Sequence, residues 1–184
     1  CAQMNHQRGF TLLELLVVFT IIALVSTFMI QSFSRQSVDI GQFRSEIIET
    51  IREAQSRALD GVQHEGEHRC GYGIRLETSG YTLYAGPIAD AVCSTYDRAY
   101  NEATDSVVRS VLYPENKLEF VGSTIDIFFE PPNPTTFICS GGSCSSSTTA
   151  TFAIRFIGAT CTAGSTSGDC RDIYVSTSGL ITAQ

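Results

Sequence analysis

The feature that most constrains this chain is an apolar run near its N-terminus, Phe10–Ile30, which contains one charged residue, Glu14. With a helical rise of about 1.5 Å per residue, the run is about 31 Å long, close to the bilayer hydrocarbon thickness of about 30 Å. A carboxylate in such a segment costs about 2–3 kcal/mol when it has no partner. The run therefore predicts a membrane-length helix whose Glu14 has a specific partner.

The residues that open this run read R-G-F-T-L-L-E from Arg8 to Glu14. They resemble the class III signal of type IV pilins and of the pseudopilins of type II secretion. The resemblance implies cleavage by a prepilin peptidase after Gly9 and N-methylation of Phe10 as the new N-terminus. It further implies that Glu14 pairs with the N-terminal amine of a neighbouring subunit.

Two other interpretations of the run are less specific. An ordinary secretory signal peptide has a shorter apolar core and a small-x-small cleavage site, which is missing here. A simple signal anchor stays open, although Glu14 would then be an unexplained penalty. We expect translation to start at Met4, with Cys1–Gln3 upstream, so that Arg8 is the fixed positive charge of the leader. The positive-inside rule then predicts a single pass through the cytoplasmic (inner) membrane with the head outside the cytoplasm.

The helix is expected to continue beyond the apolar run. Apolar residues recur there at spacings of three and four, typical of one face of an amphipathic helix; they are Ile40, Phe43, Ile47, Ile51, Ala54 and Ala58. Asp60-Gly61 is a common stop signal, so the helix should end near Leu59. The predicted organisation is a leader at 1–9, a transmembrane and assembly helix at 10–30, an amphipathic continuation at 31–60 and a β-rich head at 61–184.

From Cys70 onward the sequence is typical of β structure. Tyr72, Ile74 and Leu76 alternate with small or polar residues, and after a turn at 78–80 the alternation resumes at Tyr81, which predicts a hairpin. Further strands are predicted at 107–113, 117–121, 124–130, 135–139, 149–157, 172–176 and 180–183. Segments 140–148 and 158–169 are rich in Ser, Gly and Thr and are predicted loops.

A long helix followed by strands predicts an α+β fold in which the helix packs on a C-terminal antiparallel sheet. This layout, with R-D-I-Y-V-S-T-S-G-L-I near the end, is similar to that of the GspH/FimT-type minor pilins and pseudopilins.

The head contains an even set of cysteines, which in an exported chain indicates disulfides. They are Cys70, Cys93, Cys139, Cys144, Cys161 and Cys170. Six cysteines allow 15 connectivities. Local pairing, in sequence order, is the economical choice: Cys70–Cys93, Cys139–Cys144 and Cys161–Cys170.

The sequence also offers two candidate metal sites, and neither is adopted. His64, His68 and Cys70 form H-x3-H-x-C, but no CxxC accompanies them. A set of acidic residues has the ligand type that calcium prefers, though its spacing fits no known loop; it consists of Asp90, Asp97, Glu102 and Asp105. No metal and no cofactor are therefore predicted.

Charge and motifs exclude several function classes. The formal net charge is −7, which disfavours nucleic acid because phosphate contacts dominate such binding. The chain has no G-x-S-x-G, H-E-x-x-H or P-loop motif, so no enzyme is predicted.

The function predicted is a structural subunit of a type IV pilus-like filament, either a minor pilin or a GspH/FimT-type pseudopilin of a pilus, DNA-uptake or type II secretion system. Its expected partners are the prepilin peptidase, other pilins through the N-terminal helix, the inner-membrane assembly platform, and the membrane before assembly into a periplasmic or extracellular filament. The alternatives are a major pilin and a membrane-anchored binding module that does not polymerise.

Overall fold

The fold of the chain is α+β, with one long helix followed by antiparallel strands. A computed structural model describes residues 12–89, 93–113, 117–132, 135–161, 164 and 170–183, without side chains at 27–39. The chain divides into two compact units, the first ending at Val38 and the second beginning at Asp39. The α+β class predicted from the sequence is confirmed.

Helix α1 spans Leu12–Leu59 and contains no proline. It ends at a Schellman motif: the Val62 N–H donates to the Arg57 carbonyl at 3.1 Å, and the Gly61 N–H donates to the Ala58 carbonyl at 3.4 Å. Gly61 has a φ of 58°, the left-handed conformation that this cap requires and that glycine adopts without strain. The predicted end of the helix is therefore confirmed.

The strands form two antiparallel sheets instead of the single sheet expected. The larger sheet has the order β3-β2-β1-β5-β6-β7 and the smaller has the order β10-β9-β8-β4. The strands of the larger sheet are β1 (Tyr72–Glu77), β2 (Gly80–Ala85), β3 (Ser106–Leu112), β5 (Ile125–Glu130), β6 (Thr135–Ser140) and β7 (Ser143–Ser145). Those of the smaller sheet are β4 (Leu118–Val121), β8 (Ala150–Phe156), β9 (Cys170–Val175) and β10 (Ile181–Ala183).

The predicted hairpin is present as β1 and β2, which pair in antiparallel register with Ile74 opposite Leu83. The prediction of a loop over 140–148 was wrong in its middle, because β7 pairs there with β6. Because this segment is rich in serine and glycine, its sequence lacks the apolar alternation that indicates a strand. Its pairing is local, across a turn at Gly141-Gly142 in which both residues have positive φ.

One apolar core joins the second half of α1 to the inner faces of both sheets. The predicted stripe is buried as expected: Ile40, Ile47, Ile51, Ala54 and Ala58 are at most 1% exposed, and Phe43 packs against them while partly buried. The sheet side chains in the same core include Tyr72, Leu83 and Phe129 of the larger sheet and Phe152 and Ile173 of the smaller. Burying each isoleucine contributes about 1.5–3 kcal/mol.

Polar contacts fix the helix on the larger sheet. The Tyr81 hydroxyl donates to Glu46 at 2.5 Å, and Arg109 donates to both Thr50 and Glu53 at 3.0 Å. Burial, reinforced by the hydrogen bond to Glu46, raises the pKa of Tyr81 to about 12. These bonds select one rotation and one register of the helix, which apolar packing alone specifies less sharply.

Three disulfides join the described cysteines of the head. They join Cys70 to Cys93, Cys139 to Cys144 and Cys161 to Cys170, the same pairs that local pairing predicts. Cys139 and Cys144 are direct partners across β6 and β7. The Cys70–Cys93 bond encloses the β1–β2 hairpin, and the Cys139–Cys144 bond reinforces the pairing of β6 with β7.

Ile51→Ala should lower the free energy of unfolding by about 2–5 kcal/mol, because the lost atoms leave a cavity between helix and sheets. Urea denaturation of the full-length protein in detergent, followed by circular dichroism, measures the change. Leu59→Ala is the control on the same helix, since Leu59 is 48% exposed, and it should cost less than about 1 kcal/mol. Equal losses in the two variants would contradict the position of the core.

Candidate functional site

The first described turns of α1 expose apolar side chains on all sides. Leu12 is 85% exposed and Phe19 is 64% exposed. The other exposed apolar residues there are Leu13, Leu15, Leu16, Val17, Val18, Ile21, Ile22, Leu24 and Val25. A helix that is apolar all round belongs in a protein core or a membrane. This segment is therefore a surface that needs a covering partner.

Glu14 is the one charged residue within this surface, and its position on the helix is exposed. The predicted processing residues, Gly9 and Phe10, lie outside the described residues. The structure thus places the predicted assembly carboxylate on the apolar helix and does not reach its predicted cleavage site. In the part of the chain that the structure describes, no helix is both long enough and apolar enough to cross a membrane.

The segment after α1 forms a tight turn and not a zinc site. His64 and Glu67 exchange backbone hydrogen bonds of 3.0 and 3.2 Å, and the two residues between them, Glu65 and Gly66, both have positive φ. Cys70, the third candidate ligand, is committed to a disulfide. Among the described residues, no group of three His, Cys, Asp or Glu side chains is placed to hold a metal.

The described members of the acidic set considered for calcium, Asp97, Glu102 and Asp105, do not form a metal-ligating group. Asp90 lies outside the described residues, and Asp105 points inward with 8% exposure. The Asp105 carboxylate accepts hydrogen bonds from the Tyr96 hydroxyl, at 2.7 and 2.8 Å, and from the Asn101 N–H, at 2.9 Å. Burial raises the pKa of Asp105 and of Tyr96. Asp105 is therefore the internal anchor of the loop that precedes β3.

That loop, residues 93–105, covers the outer face of the larger sheet. Tyr96 and Tyr100 of the loop pack on Phe128 and Tyr84 of the sheet, with ring centroids 5.7 and 5.0 Å apart. Gly73 makes room for this layer, because a Cβ there would lie 2.5 Å from the Tyr84 ring. The larger sheet is thus covered on both faces, by α1 inside and by the loop outside.

A polar cleft opens between this loop and the larger sheet. We call it the Arg75–Tyr100 cleft. It consists of two adjoining hollows of about 400 and 280 Å³ that share Arg75, Ala99 and Tyr100. The first is also lined by Asp97, Asn101 and Glu102, and the second by Thr124, Asp126, Cys139, Ser140, Gly141 and Gly142.

The charged pair at the base of the cleft comes from two adjacent strands, because Arg75 and Asp126 are direct partners in the register of β1 and β5. Arg75 bonds to Glu77, and its guanidinium lies 5.3 Å from the Tyr100 ring centroid. One Asp126 oxygen accepts the Tyr100 N–H at 3.4 Å, while the other has no hydrogen-bond partner. Burial raises the pKa of Asp126 to about 6, although the Arg75 guanidinium opposes the shift.

The sequence did not indicate this cleft. In I-D-I-F-F-E a single aspartate on the polar face of a strand is typical of a solvated position. The one available signal was the pair of tyrosines, Tyr96 and Tyr100, in the polar segment before β3. Both pack on rings of the sheet, but the carboxylate beneath them follows only from the tertiary fold.

The comparison with known families gives one match. Residues 4–30 match the prokaryotic N-terminal methylation motif. This motif is the class III signal of type IV pilins and pseudopilins, so the resemblance carried by G-F-T-L-L-E is confirmed for the N-terminal segment. No curated protein and no solved structure matches the chain. The motif supports a pilin-like or pseudopilin structural subunit and does not distinguish the subfamilies.

Asp126→Asn should stabilise the protein near neutral pH. The folded Asp126 carboxyl keeps its proton up to about pH 6, whereas the unfolded one ionises at about pH 4. In acid, the folded state of the wild type is stabilised because its Asp126 binds a proton more tightly than in the unfolded chain. This stabilisation is lost as the pH rises through about 6. Asparagine avoids the loss, so we expect a gain of about 1–2 kcal/mol at about pH 7.5 that disappears at about pH 4.

Urea denaturation at both pH values measures this difference. Asp97→Asn is the matched control because Asp97 is an exposed carboxylate of the loop that covers Asp126, and it should change stability by less than about 0.5 kcal/mol at either pH. An Asp126→Asn variant no more stable than the wild type at about pH 7.5 would contradict the burial penalty.

Proposed function

We propose that this protein is a non-enzymatic subunit of a type IV pilus-like filament, specifically a minor pilin or GspH/FimT-type pseudopilin. The observation that carries the proposal is the methylation motif at 4–30, which contains the exposed apolar surface of α1. A subunit of this kind is cut by a prepilin peptidase after Gly9 and begins at Phe10. The first half of α1 is then the segment by which subunits pack.

Glu14 is the proposed assembly contact. Packed helices and lipid are both media of low dielectric constant, in which an unpaired carboxylate is strongly unfavourable. A subunit that begins at Phe10 presents an amine at the end of the same apolar surface, and that amine is a matching charge. We therefore assign Glu14 the pairing of one subunit with the Phe10 amine of its neighbour.

The proposed route runs from the inner membrane to a periplasmic or extracellular filament. Before assembly, Phe10–Ile30 anchors the chain as a single pass with Arg8 on the cytoplasmic side and the head outside. The assembly platform of that membrane is the expected partner for insertion into the filament. The three disulfides agree with an oxidising compartment for the head.

The assignment to the GspH/FimT type rests on the arrangement of the head. The final strands β9 and β10 pair across a turn at Ser178-Gly179, and the C-terminal stretch that resembles this type forms them. The absence of proline within α1 favours a minor subunit over a major pilin, whose helix is often interrupted. The acidic charge disfavours a DNA-uptake role.

Mass spectrometry of the protein from native cells should show a chain that begins with N-methylated Phe10. Gly9→Leu should block the cleavage, because the peptidase must accommodate the residue before the scissile bond, and should leave the chain starting at Met4. Gly41→Ala, a change at a helical glycine with open space around it, is the control and should be processed normally. A wild-type chain that keeps Met4 would exclude the filament class.

Glu14→Gln should be processed like the wild type but fail to enter filaments. Incorporation should fall by more than about tenfold, because breaking a buried charge pair costs about 3–5 kcal/mol. The measurement is the ratio of subunit in the sheared filament fraction to subunit in the membrane fraction. Glu49→Gln, an exposed glutamate later on the same helix, is the matched control. Full incorporation of Glu14→Gln would favour the rival function, a membrane-anchored binding module.

A further inference from the structure

We propose that the Arg75–Tyr100 cleft binds an organic cation that carries N–H donors, either a primary ammonium or a guanidinium group. The site lies entirely within the second unit, in the part of the head formed by the larger sheet and the loop over it. Binding there does not depend on polymerisation. It gives the head a ligand of its own, separate from the assembly surface of α1.

The unpaired oxygen of Asp126 is the first argument. Asp126 is 5% exposed, it lines the smaller hollow, and its Oδ1 has no hydrogen-bond donor within reach. The nearest cation is the Arg75 guanidinium, whose Nη1 is 3.9 Å away, close enough for an ion pair and too far for a hydrogen bond. A buried carboxylate oxygen without a donor is costly, so a ligand N–H that displaces Arg75 slightly would satisfy it.

The charge of the lining is the second argument. The cleft presents one guanidinium, Arg75, against three carboxylates, Asp97, Glu102 and Asp126. Asp97 and Glu102 are exposed at the mouth, where they attract cations toward the buried Asp126. An anion would meet this excess of negative charge, and a neutral sugar would gain hydrogen bonds but no charge attraction. The lining therefore selects for positive charge.

The third argument is the size and chemistry of the walls. The hollow beside Asp126 is about 280 Å³, which suits one side-chain-sized group. Thr124, Ser140 and Tyr100 line it. Arg75 already occupies one position over the Tyr100 ring at 5.3 Å, so the site accepts a guanidinium-like cation from its own chain. A second cation of this type fits the same chemistry.

Such a cation has two sources, a basic side chain of another protein and a free polyamine. N-acetyl-lysine methylamide represents the first and spermidine the second. N-acetyl-norleucine methylamide, which keeps the alkyl chain and lacks the charge, controls for apolar binding. Titration of the full-length mature protein in detergent, with the carboxyl carbons of its aspartates labelled for NMR, reports binding at Asp126 directly.

We expect saturable binding of a cation by the wild type, with a shift of the Asp126 carboxyl signal. Asp126→Asn should weaken it by at least about tenfold, since it removes a hydrogen bond to a charged acceptor. Asp172→Asn is the matched control because Asp172, in β9 of the other sheet, is also buried with one unpartnered oxygen. It should bind like the wild type. The relative affinities of the two cations then identify the source.

Glu102→Gln tests the mouth of the cleft without a change in the core. It should weaken binding by about twofold to threefold, and less so at high salt, because exposed charges are screened. Equal affinity of Asp126→Asn and the wild type would overturn the proposal. So would binding of the norleucine compound as tight as that of the lysine compound, or the absence of saturable binding of either cation.

Discussion

The burial of one helical stripe holds the head together. Ile40, Ile47 and Ile51 belong to one buried cluster with apolar side chains of both sheets. The hydrogen bonds from Tyr81 to Glu46 and from Arg109 to Glu53 then fix the helix against β2 and β3. Without the second half of α1, both sheets would expose one apolar face to water.

The same helix carries two different surfaces along its length. Its first turns expose apolar residues on every side, whereas from Ile40 onward one face is apolar and the other polar. The first pattern needs an environment of lipid or other helices, and the second needs a folded head. A single continuous helix therefore joins a part that is stable in the head to a part that requires a partner.

The sequence predicted what depends on local pattern. The helical stripe, the stop at Asp60-Gly61 and the β1–β2 hairpin follow from periodicity and turn chemistry, and the structure confirms them. The sequence missed β7, because Ser143–Ser145 has no apolar alternation and is held by its pairing with β6. It also missed the split into two sheets, because strand order is a tertiary property that no short pattern encodes.

The two candidate sites, at Glu14 and at Asp126, also differ in whether the sequence reveals them. Glu14 was recognisable because a charge in an apolar run conflicts with its surroundings within the sequence itself. Asp126 becomes buried only when the loop of residues 93–105 folds over it. In the sequence alone, its position is typical of a solvated strand residue. Sequence patterns therefore do not reveal a polar group that is buried by a distant segment. Such a group nevertheless needs a partner as strongly as a charge within an apolar run does.

This difference bears on how the function of the chain is divided between its two units. The motif at 4–30 is contained in one short segment, so it can be joined to heads of any fold and says little about what a head contacts. The arrangement around Asp126 instead needs β1, β5 and the loop before β3 at once, with Cys70–Cys93 holding the start of that loop. A site that requires so many separate parts of the fold belongs to the head alone, so the role that distinguishes this subunit from others with the same signal must be sought there.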